Sequence, residues 1–185
     1  MTIKNRICSV KKAGFLDLGI RKLFQNPKKI LESYIPNGMT VLDVGCGPGF
    51  FSIEIAKMVG ETGKVIAVDL QDGMLQKLKR KINNTSLKNI IYLHKCRENK
   101  IGLNKKVDFI LIFYMLHEVP DQLGFLNEIK NLLNPEGKVL IVEPGFHISK
   151  KDYEYSIELS KKIGFKKIEE PKVFMSRAAI LKKNE

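Results

Sequence analysis

An apolar segment that runs directly into a glycine-rich turn constrains the fold of this chain more than any other feature. The segment is Met39–Val44, and the turn Gly45–Gly49 follows it with the spacing Gly-x-Gly-x-Gly. A second apolar segment, Val65–Val68, ends at Asp69, twenty residues after the last glycine of the turn. This combination predicts an α/β domain in which the glycines admit a ligand to the backbone and the carboxylate binds ribose hydroxyl groups. We therefore expect an adenosine-containing cofactor.

Short apolar segments alternate with helical patterns along the rest of the chain, which predicts a largely parallel sheet. A helix follows the glycine turn and ends at Gly60. Further helices are predicted near 72–83, 121–133 and 149–163, and strands at 89–94, 107–113 and 137–142. The chain closes with two predicted strands, Phe165–Glu170 and Lys172–Leu181, which only Pro171 separates. Because no crossover helix fits between them, we expect these two strands to pair antiparallel.

The length of 185 residues fits one domain, 1–185, with an N-terminal arm and helix over 1–35 and a core over 36–183. Residues 1–20 show no sustained period, which predicts a mobile arm or lid. Asn26 and Pro27 resemble a helix N-cap and first turn, opening a helix through Tyr34. No apolar run approaches the roughly 20 residues that span a bilayer. With three widely spaced cysteines and no secretory signal, we expect a cytoplasmic protein without a membrane partner.

The formal net charge of +12 raises the question of an acidic partner such as nucleic acid. The chain has 27 lysines but only five arginines, and many of the lysines form pairs at the faces and ends of predicted helices. Arginine favours planar, bidentate recognition of phosphates, whereas lysine acts as a solvated point charge. The composition therefore favours a lysine-rich solvated surface, with nucleic acid kept as an alternative partner. The oligomeric state stays open.

Four segments closely resemble, in order, the class I S-adenosylmethionine-dependent methyltransferases. They are Val41–Gly49, Val65–Asp69, Val107–Leu111 and Leu132–Pro144. The resemblance covers roughly residues 36–183. It implies a Rossmann-like α/β fold, with a seven-stranded, mostly parallel sheet of strand order 3-2-1-4-5-7-6. The last strand would be antiparallel, and helices would cover both faces.

The resemblance also implies roles for individual residues. The glycines of the turn would line the methionine moiety of S-adenosylmethionine, and Asp43 would orient its ammonium group. Asp69 would bind both ribose hydroxyls, and Leu70 would cover one face of the adenine. Relatives often place an acid after the third strand, where this chain has Lys95-Cys96-Arg97-Glu98. The predicted cofactor-binding residues are therefore Asp43, Gly45, Cys46, Gly47, Gly49, Asp69, Leu70, Cys96 and Arg97, and no metal is expected.

Methyl transfer is an in-line displacement, so the protein mainly supplies alignment and electrostatics. An acceptor with a high pKa would also need a base within hydrogen-bond reach. His117, just past the fourth strand, is the best placed candidate, and Glu118 and Glu143 complete the predicted catalytic set. His147 follows the fifth strand and is expected at the same rim. The alternative is that a histidine–glutamate pair only holds a loop in place.

The sequence therefore predicts a methyltransferase that uses S-adenosylmethionine and acts on a small-molecule acceptor, releasing S-adenosylhomocysteine. The alternative is a nucleic-acid methylase or a non-catalytic nucleic-acid binder that uses the basic surface. A nicotinamide-dependent oxidoreductase is disfavoured because its fingerprint is Gly-x-Gly-x-x-Gly, and Pro48 interrupts that spacing here.

Overall fold

A single seven-stranded sheet organises the protein in a computed structural model that describes residues 25–184. Its strands are β1 (Thr40–Val44), β2 (Lys64–Asp69), β3 (Ile91–Lys95), β4 (Val107–Phe113), β5 (Leu133–Pro144), β6 (Phe165–Glu169) and β7 (Ser176–Lys183). The strand order is β3-β2-β1-β4-β5-β7-β6. Strand β7 runs antiparallel to both of its neighbours, and the other neighbouring pairs are parallel. The predicted fold class and strand order are confirmed.

Five α-helices accompany the sheet in the described residues. They are α1 (Pro27–Leu31), α2 (Phe50–Val59), α3 (Asp72–Ile82), α4 (Gln122–Leu132) and α5 (Lys150–Lys162). Side chains cap three of the N-termini: Asn26 accepts from backbone amides of α1, Asp121 from α4 and Ser149 from α5. Gly60 ends α2 with a positive φ, as predicted. None of the helices in the described residues is long and apolar enough to cross a membrane.

Two apolar layers cover the two faces of the sheet. Alternate residues of the central strands contribute to opposite layers, so Val41 and Leu42 of β1 belong to different clusters. Ile55 of α2 packs in one layer, and Leu126 of α4 packs in the other. Each fully buried aliphatic side chain contributes about 1.5–3 kcal/mol relative to exposure. This packing holds the carboxyl ends of β1, β2 and β4 in fixed positions, where the site forms.

Several predicted boundaries were wrong. Helix α1 ends at Leu31 rather than Tyr34, because the chain tightens into a turn in which the Tyr34 amide donates to the Leu31 carbonyl at 2.9 Å. Strand β5 begins at Leu133 rather than at residue 137, since Leu133 already pairs with Val107 before the register shifts. Strand β7 begins at Ser176 rather than Lys172. The predicted arm or lid over residues 1–20 lies outside the described residues, as does Cys8.

The loop before β7 explains why the last strand starts late. Residues 170–175 leave the sheet, and the amide of Ser176 donates to the carbonyl of Val173 in a turn. Met175 within this turn has a positive φ of 49°, which is uncommon for a residue with a side chain. The proline at the start of the loop cannot donate to a strand ladder. The two last strands therefore form a hairpin with a six-residue loop, not a one-residue connection.

Candidate cofactor and acceptor site

The glycine-rich turn after β1 depends on left-handed backbone geometry. Gly45, Gly47 and Gly49 have φ values of 71°, 54° and 88°, which side-chain-bearing residues rarely adopt. The amides of Gly45 and Cys46 both donate to the carbonyl of Val68 at 2.9 Å, so the end of β2 anchors the turn. The left-handed backbone conformation of the turn is therefore the first reason for glycine at these three positions.

Two of these glycines face very different surroundings. A Cβ atom added at Gly47 would meet no atom within 4 Å, so this position faces open space. A Cβ added at Gly49 would overlap the side chain of Leu78 in α3. Gly47 thus leaves room for a ligand, whereas Gly49 allows the turn to pack against a helix. Gly49 is also absent from the residues that line the cleft described below.

Asp69, the last residue of β2, joins this turn to the start of the next helix. One carboxylate oxygen, Oδ2, accepts from the amide of Gly47 at 2.9 Å, and Oδ1 accepts from the amide of Gln71 at 2.8 Å. Burial raises the pKa of Asp69, and the backbone amides of Gln71, Gly47 and Leu70 oppose that rise. An ionised carboxylate has about four acceptor positions. The three backbone amides therefore leave acceptor capacity for a ligand hydroxyl group.

Asp43 is held by a residue that the sequence analysis did not identify. Its Oδ2 accepts a 2.5 Å hydrogen bond from the hydroxyl of Ser52, and both side chains are buried. Ser52 lies in the first turn of α2, which begins directly after the glycine turn. A serine there reaches back to the strand that precedes the turn. Ser52 was recognisable in the sequence only as a small polar residue in an otherwise apolar helix segment.

A cleft of about 210 Å³ opens at the carboxyl ends of β1, β2 and β4. Eight of the nine predicted cofactor-binding residues line it: Asp43, Gly45, Cys46, Gly47, Asp69, Leu70, Cys96 and Arg97. Of the three predicted catalytic residues, only Glu118 lines it. The remaining lining residues had no predicted cofactor-binding or catalytic role. They are Val44, Pro48, Phe50, Phe51, Gln71, Met74, Glu98, Phe113, Tyr114, Met115, Val119 and Pro120.

The two cysteines of the cleft are neutral thiols. Burial raises the pKa of Cys46 well above its ordinary value, and the charges of Asp43 and Asp69 add to this effect. Burial and the charge of Asp69 raise the pKa of Cys96 to about 11. Because the thiolate is the reactive form, both side chains behave as small apolar groups at neutral pH. Cys96 therefore gives the cleft an apolar surface just after β3.

His117 and Glu143 form a pair across the ends of β4 and β5. Oε2 of Glu143 lies 2.5 Å from Nδ1 of His117, and Oε1 accepts from the His117 amide at 3.2 Å. Burial alone lowers the pKa of His117, but the hydrogen bond to Glu143 and the charges of Glu143 and Glu118 outweigh it and raise that pKa. The ring of His147 lies edge-on to that of His117, with centroids 5.3 Å apart. These three side chains gather beside the cleft without lining it.

Tyr114, the first residue after β4, has a strained backbone at the cleft wall. Its φ is 59°, and its amide donates to the carbonyl of Val142 at 2.8 Å. The phenol oxygen lies 2.5 Å from Oγ of Ser176 and accepts from the side-chain amide of Gln25 at 2.6 Å. The ring stacks at a tilt on Phe113, with centroids 4.4 Å apart. The contact with Ser176 could not be predicted from the sequence, because Ser176 lies 62 residues after Tyr114.

Comparison with known proteins identifies the family. Residues 35–176 match the family model described as a methyltransferase domain. The fold superposes with a TM-score of 0.84 on the crystal structure of a SAM (S-adenosylmethionine)-dependent methyltransferase from Aquifex aeolicus. That protein is 31% identical, and the match covers 95% of this chain and 98% of the other. This chain belongs to the S-adenosylmethionine-dependent methyltransferase family.

Curated relatives of this methyltransferase are longer proteins. The demethylmenaquinone methyltransferase of Staphylococcus saprophyticus is 35% identical over 112 residues, which is 60% of this chain and 47% of the relative. The protein of the same name from Lactococcus lactis is 34% identical over 125 residues, which is 66% of this chain and 48% of the relative. In these alignments, this methyltransferase matches about half the length of the curated relatives.

Proposed function

We propose that this methyltransferase transfers a methyl group from S-adenosylmethionine to a small-molecule acceptor. One observation carries the proposal: the carboxylate of Asp69 and the open side of Gly47 face the same cleft. A carboxylate beside an exposed backbone turn suits a ligand that combines ribose hydroxyls with a chain lying against the backbone. Membership of the methyltransferase family supports the same cofactor.

The residues of the cleft fit the parts of this cofactor. Asp69 would accept hydrogen bonds from the ribose hydroxyls, and Leu70 and Cys96 would provide apolar surface for the adenine. Asp43, oriented by Ser52, would hold the ammonium group beside the glycine turn. When bound, S-adenosylmethionine supplies a methyl group on a positively charged sulfur. The contribution of the protein is then to fix the orientation of both reactants and to exclude water.

The acceptor would approach from the wall that follows β4. Tyr114, Met115 and Val119 give this wall an apolar character, and Glu118 lies among them. His117 lies beside this wall without lining the cleft, so it would accept the proton from a molecule that extends past the wall toward its ring. A proton on Nδ1 of His117 donates to Glu143, which leaves Nε2 as the basic nitrogen. Glu143 then acts as a positioning residue that fixes the tautomer and ring orientation of His117.

Demethylmenaquinone is the first acceptor to test, because the two curated relatives described above are demethylmenaquinone methyltransferases. Those relatives also favour a small-molecule acceptor over the nucleic-acid alternative. The experiment supplies S-adenosylmethionine labelled in its methyl group and follows transfer of the label to demethylmenaquinone. A structured RNA of similar concentration serves as the competing acceptor.

Asp69→Ala supplies the negative control, and Asp72→Ala is the matched variant, because Asp72 carries an exposed carboxylate that does not line the cleft. Transfer to demethylmenaquinone that Asp69→Ala abolishes and Asp72→Ala preserves would support the proposal. Transfer to RNA alone would replace it with the nucleic-acid alternative. Transfer to neither would require a different small-molecule acceptor, provided that the cofactor still binds.

A further inference from the structure

Exposed apolar side chains concentrate at the end of the sheet where the parallel strands finish and the cleft opens. Within the part of the chain that the structure describes, seven large hydrophobic residues are exposed. Three of them occupy the two loops around the end of β5 and the start of β7: Phe146 is 71% exposed, Met175 58% and Phe174 54%. A fourth, Leu123, lies at the start of α4, which follows the carboxyl end of β4. Scattered exposed apolar residues are ordinary, but a group of this kind marks an interaction site.

We call Phe146, Phe174 and Met175 the apolar rim. Backbone hydrogen bonds fix the two loops that carry it: the amide of Gly145 donates to the carbonyl of Met175 at 2.8 Å. Arg177 donates to the carbonyl of Ile148 at 2.8 Å, which ties the start of β7 to the loop after β5. The rim is therefore built on a defined backbone scaffold, and its side chains project from adjacent loops.

The apolar rim lies next to the acceptor wall of the cleft. Ser176 connects the two, because its hydroxyl lies 2.5 Å from the Tyr114 phenol oxygen and also donates to the carbonyl of Phe174 at 2.9 Å. Tyr114 lines the cleft. A surface that binds the rim would thus lie beside the entrance through which an acceptor reaches the site.

Lysines flank the apolar rim. Lys150 and Lys151 begin α5, four and five residues after Phe146, and Lys172 precedes Phe174 by two residues; all three are exposed. Two carboxylates lie in the same segment: Glu154 pairs with Lys150 at 3.6 Å, and Asp152 accepts from the Ser149 hydroxyl and keeps its charge. Lys151 and Lys172 are therefore the lysines that supply the basic border. Together with the net charge of +12, this arrangement gives an apolar centre with a basic border.

We propose that the apolar rim docks on the surface of an anionic lipid bilayer. Phe146 and Met175 enter the boundary between headgroups and acyl chains, and the flanking lysines contact the acidic headgroups. Exposed apolar side chains with basic neighbours bind membrane surfaces through both effects together, and neither effect requires a spanning helix. Docking in this orientation presents the acceptor wall to molecules dissolved in the bilayer.

The proposal concerns binding to a surface and does not depend on methyl transfer. Vesicle binding can therefore succeed or fail whether or not the acceptor has been identified correctly. No membrane partner was expected from the sequence, because the chain has no continuous apolar run long enough to span a bilayer. The rim instead comes from two loops: Phe146 lies 28 residues before Phe174 and 29 before Met175, and only the folded chain brings them together.

The experiment measures cosedimentation of the full 185-residue chain with vesicles of phosphatidylcholine, either alone or with about 30% phosphatidylglycerol. We expect binding to the anionic vesicles, at least fivefold weaker binding to the neutral ones, and weakening with added salt. Phe146→Ser combined with Met175→Ser should reduce anionic binding at least fivefold. Lys151→Glu combined with Lys172→Glu should reduce it by a similar factor.

The matched control is Tyr92→Ser combined with Ile168→Ser, which replaces two exposed apolar residues on the opposite edge strands β3 and β6. All variants are first checked for unchanged thermal unfolding and S-adenosylhomocysteine binding. Binding that survives the rim substitutions, or that the control variant loses equally, would overturn the proposal. Absence of vesicle binding would also overturn it, as would self-association that the rim substitutions abolish without any vesicle binding.

Discussion

The carboxylate of Asp69 accepts a hydrogen bond from the backbone amide of Gly47 at 2.9 Å, across 22 residues of sequence. This contact joins the end of β2 to the glycine turn that follows β1. The carboxylate therefore has two functions in our account: it holds the turn in its left-handed conformation and it presents acceptor oxygens to the cofactor.

Replacing Asp69 by alanine should weaken S-adenosylhomocysteine binding by about 1–3 kcal/mol, because ribose hydroxyls lose their acceptor and the Gly47 amide loses its partner. Calorimetric titration measures the change. Asp72→Ala, three residues further along, should bind as tightly as the unmodified chain. Equal affinities in the two folded variants would show that Asp69 is not a cofactor ligand.

Alanine substitutions at Gly47 and Gly49 should differ in their effects on cofactor binding and on stability. Gly47→Ala places a methyl group in open space beside the cleft, so we expect weaker S-adenosylhomocysteine binding and a loss of unfolding free energy of about 1–2 kcal/mol from the left-handed backbone. Gly49→Ala collides with Leu78, so it should destabilise the protein more. Chemical denaturation and calorimetry of both variants test this.

A second substitution distinguishes collision from backbone strain at Gly49. Leu78→Ala creates room, so the cost of adding Gly49→Ala should be smaller in the Leu78→Ala background than in the unmodified chain. A double-mutant cycle in the free energy of unfolding gives this difference. Strictly additive costs would contradict the packing role that we assign to Gly49.

The buried Asp43–Ser52 pair should contribute measurably to stability. Ser52→Ala removes the 2.5 Å hydrogen bond from the Asp43 carboxylate, and we expect a loss of about 1–3 kcal/mol in unfolding free energy. Denaturation in urea measures it. Ser160→Ala is the matched control for removal of a buried hydroxyl, because its hydroxyl donates only within helix α5, to the carbonyl of Ser156. The control should lose less stability than Ser52→Ala.

The His117–Glu143 pair predicts a pH dependence with a defined sign. The pKa of His117 is raised in the folded protein, so its stabilising contribution is complete below the ordinary value of 6.5 and is lost as the pH rises through the folded pKa. Glu143→Gln removes the charge that raises this pKa. NMR titration of the His117 ring should then show a lower pKa. Denaturation at several pH values should show a smaller pH dependence of the free energy of unfolding.

The same pair predicts the pH profile of transfer. If His117 accepts a proton from the acceptor molecule, the rate rises as His117 becomes neutral, and Glu143→Gln should move this rise to lower pH. His117→Ala should leave S-adenosylhomocysteine binding unchanged, since His117 does not line the cleft. A large loss of cofactor affinity would assign His117 to the cofactor side instead.

Local sequence signals predicted the alternation of strands and helices, and the resemblance to the methyltransferase family implied the strand order. Most of the residues predicted to bind the cofactor line the cleft. The glycine turn and Asp69 could be identified because neighbouring residues in the sequence determine the geometry of strand, turn and helix. The role of Gly49 depends on its contact with Leu78, and that of Asp43 on its hydrogen bond with Ser52. Neither contact could be predicted, because each depends on how a helix packs in the folded protein. The Glu143–His117 contact spans 26 residues and two strands. The apolar rim could not be predicted either, because Phe174 and Met175 were assigned to the last strand and instead lie in the loop before β7.

The most direct test of the central claim is calorimetric titration of the purified chain with S-adenosylhomocysteine, after removal of any copurified cofactor and with NAD as the control ligand. Our account predicts one-to-one binding of S-adenosylhomocysteine that Asp69→Ala weakens, and no binding of NAD. A folded, empty protein that binds neither ligand, or that binds NAD in preference, would contradict the assignment of this cleft to S-adenosylmethionine.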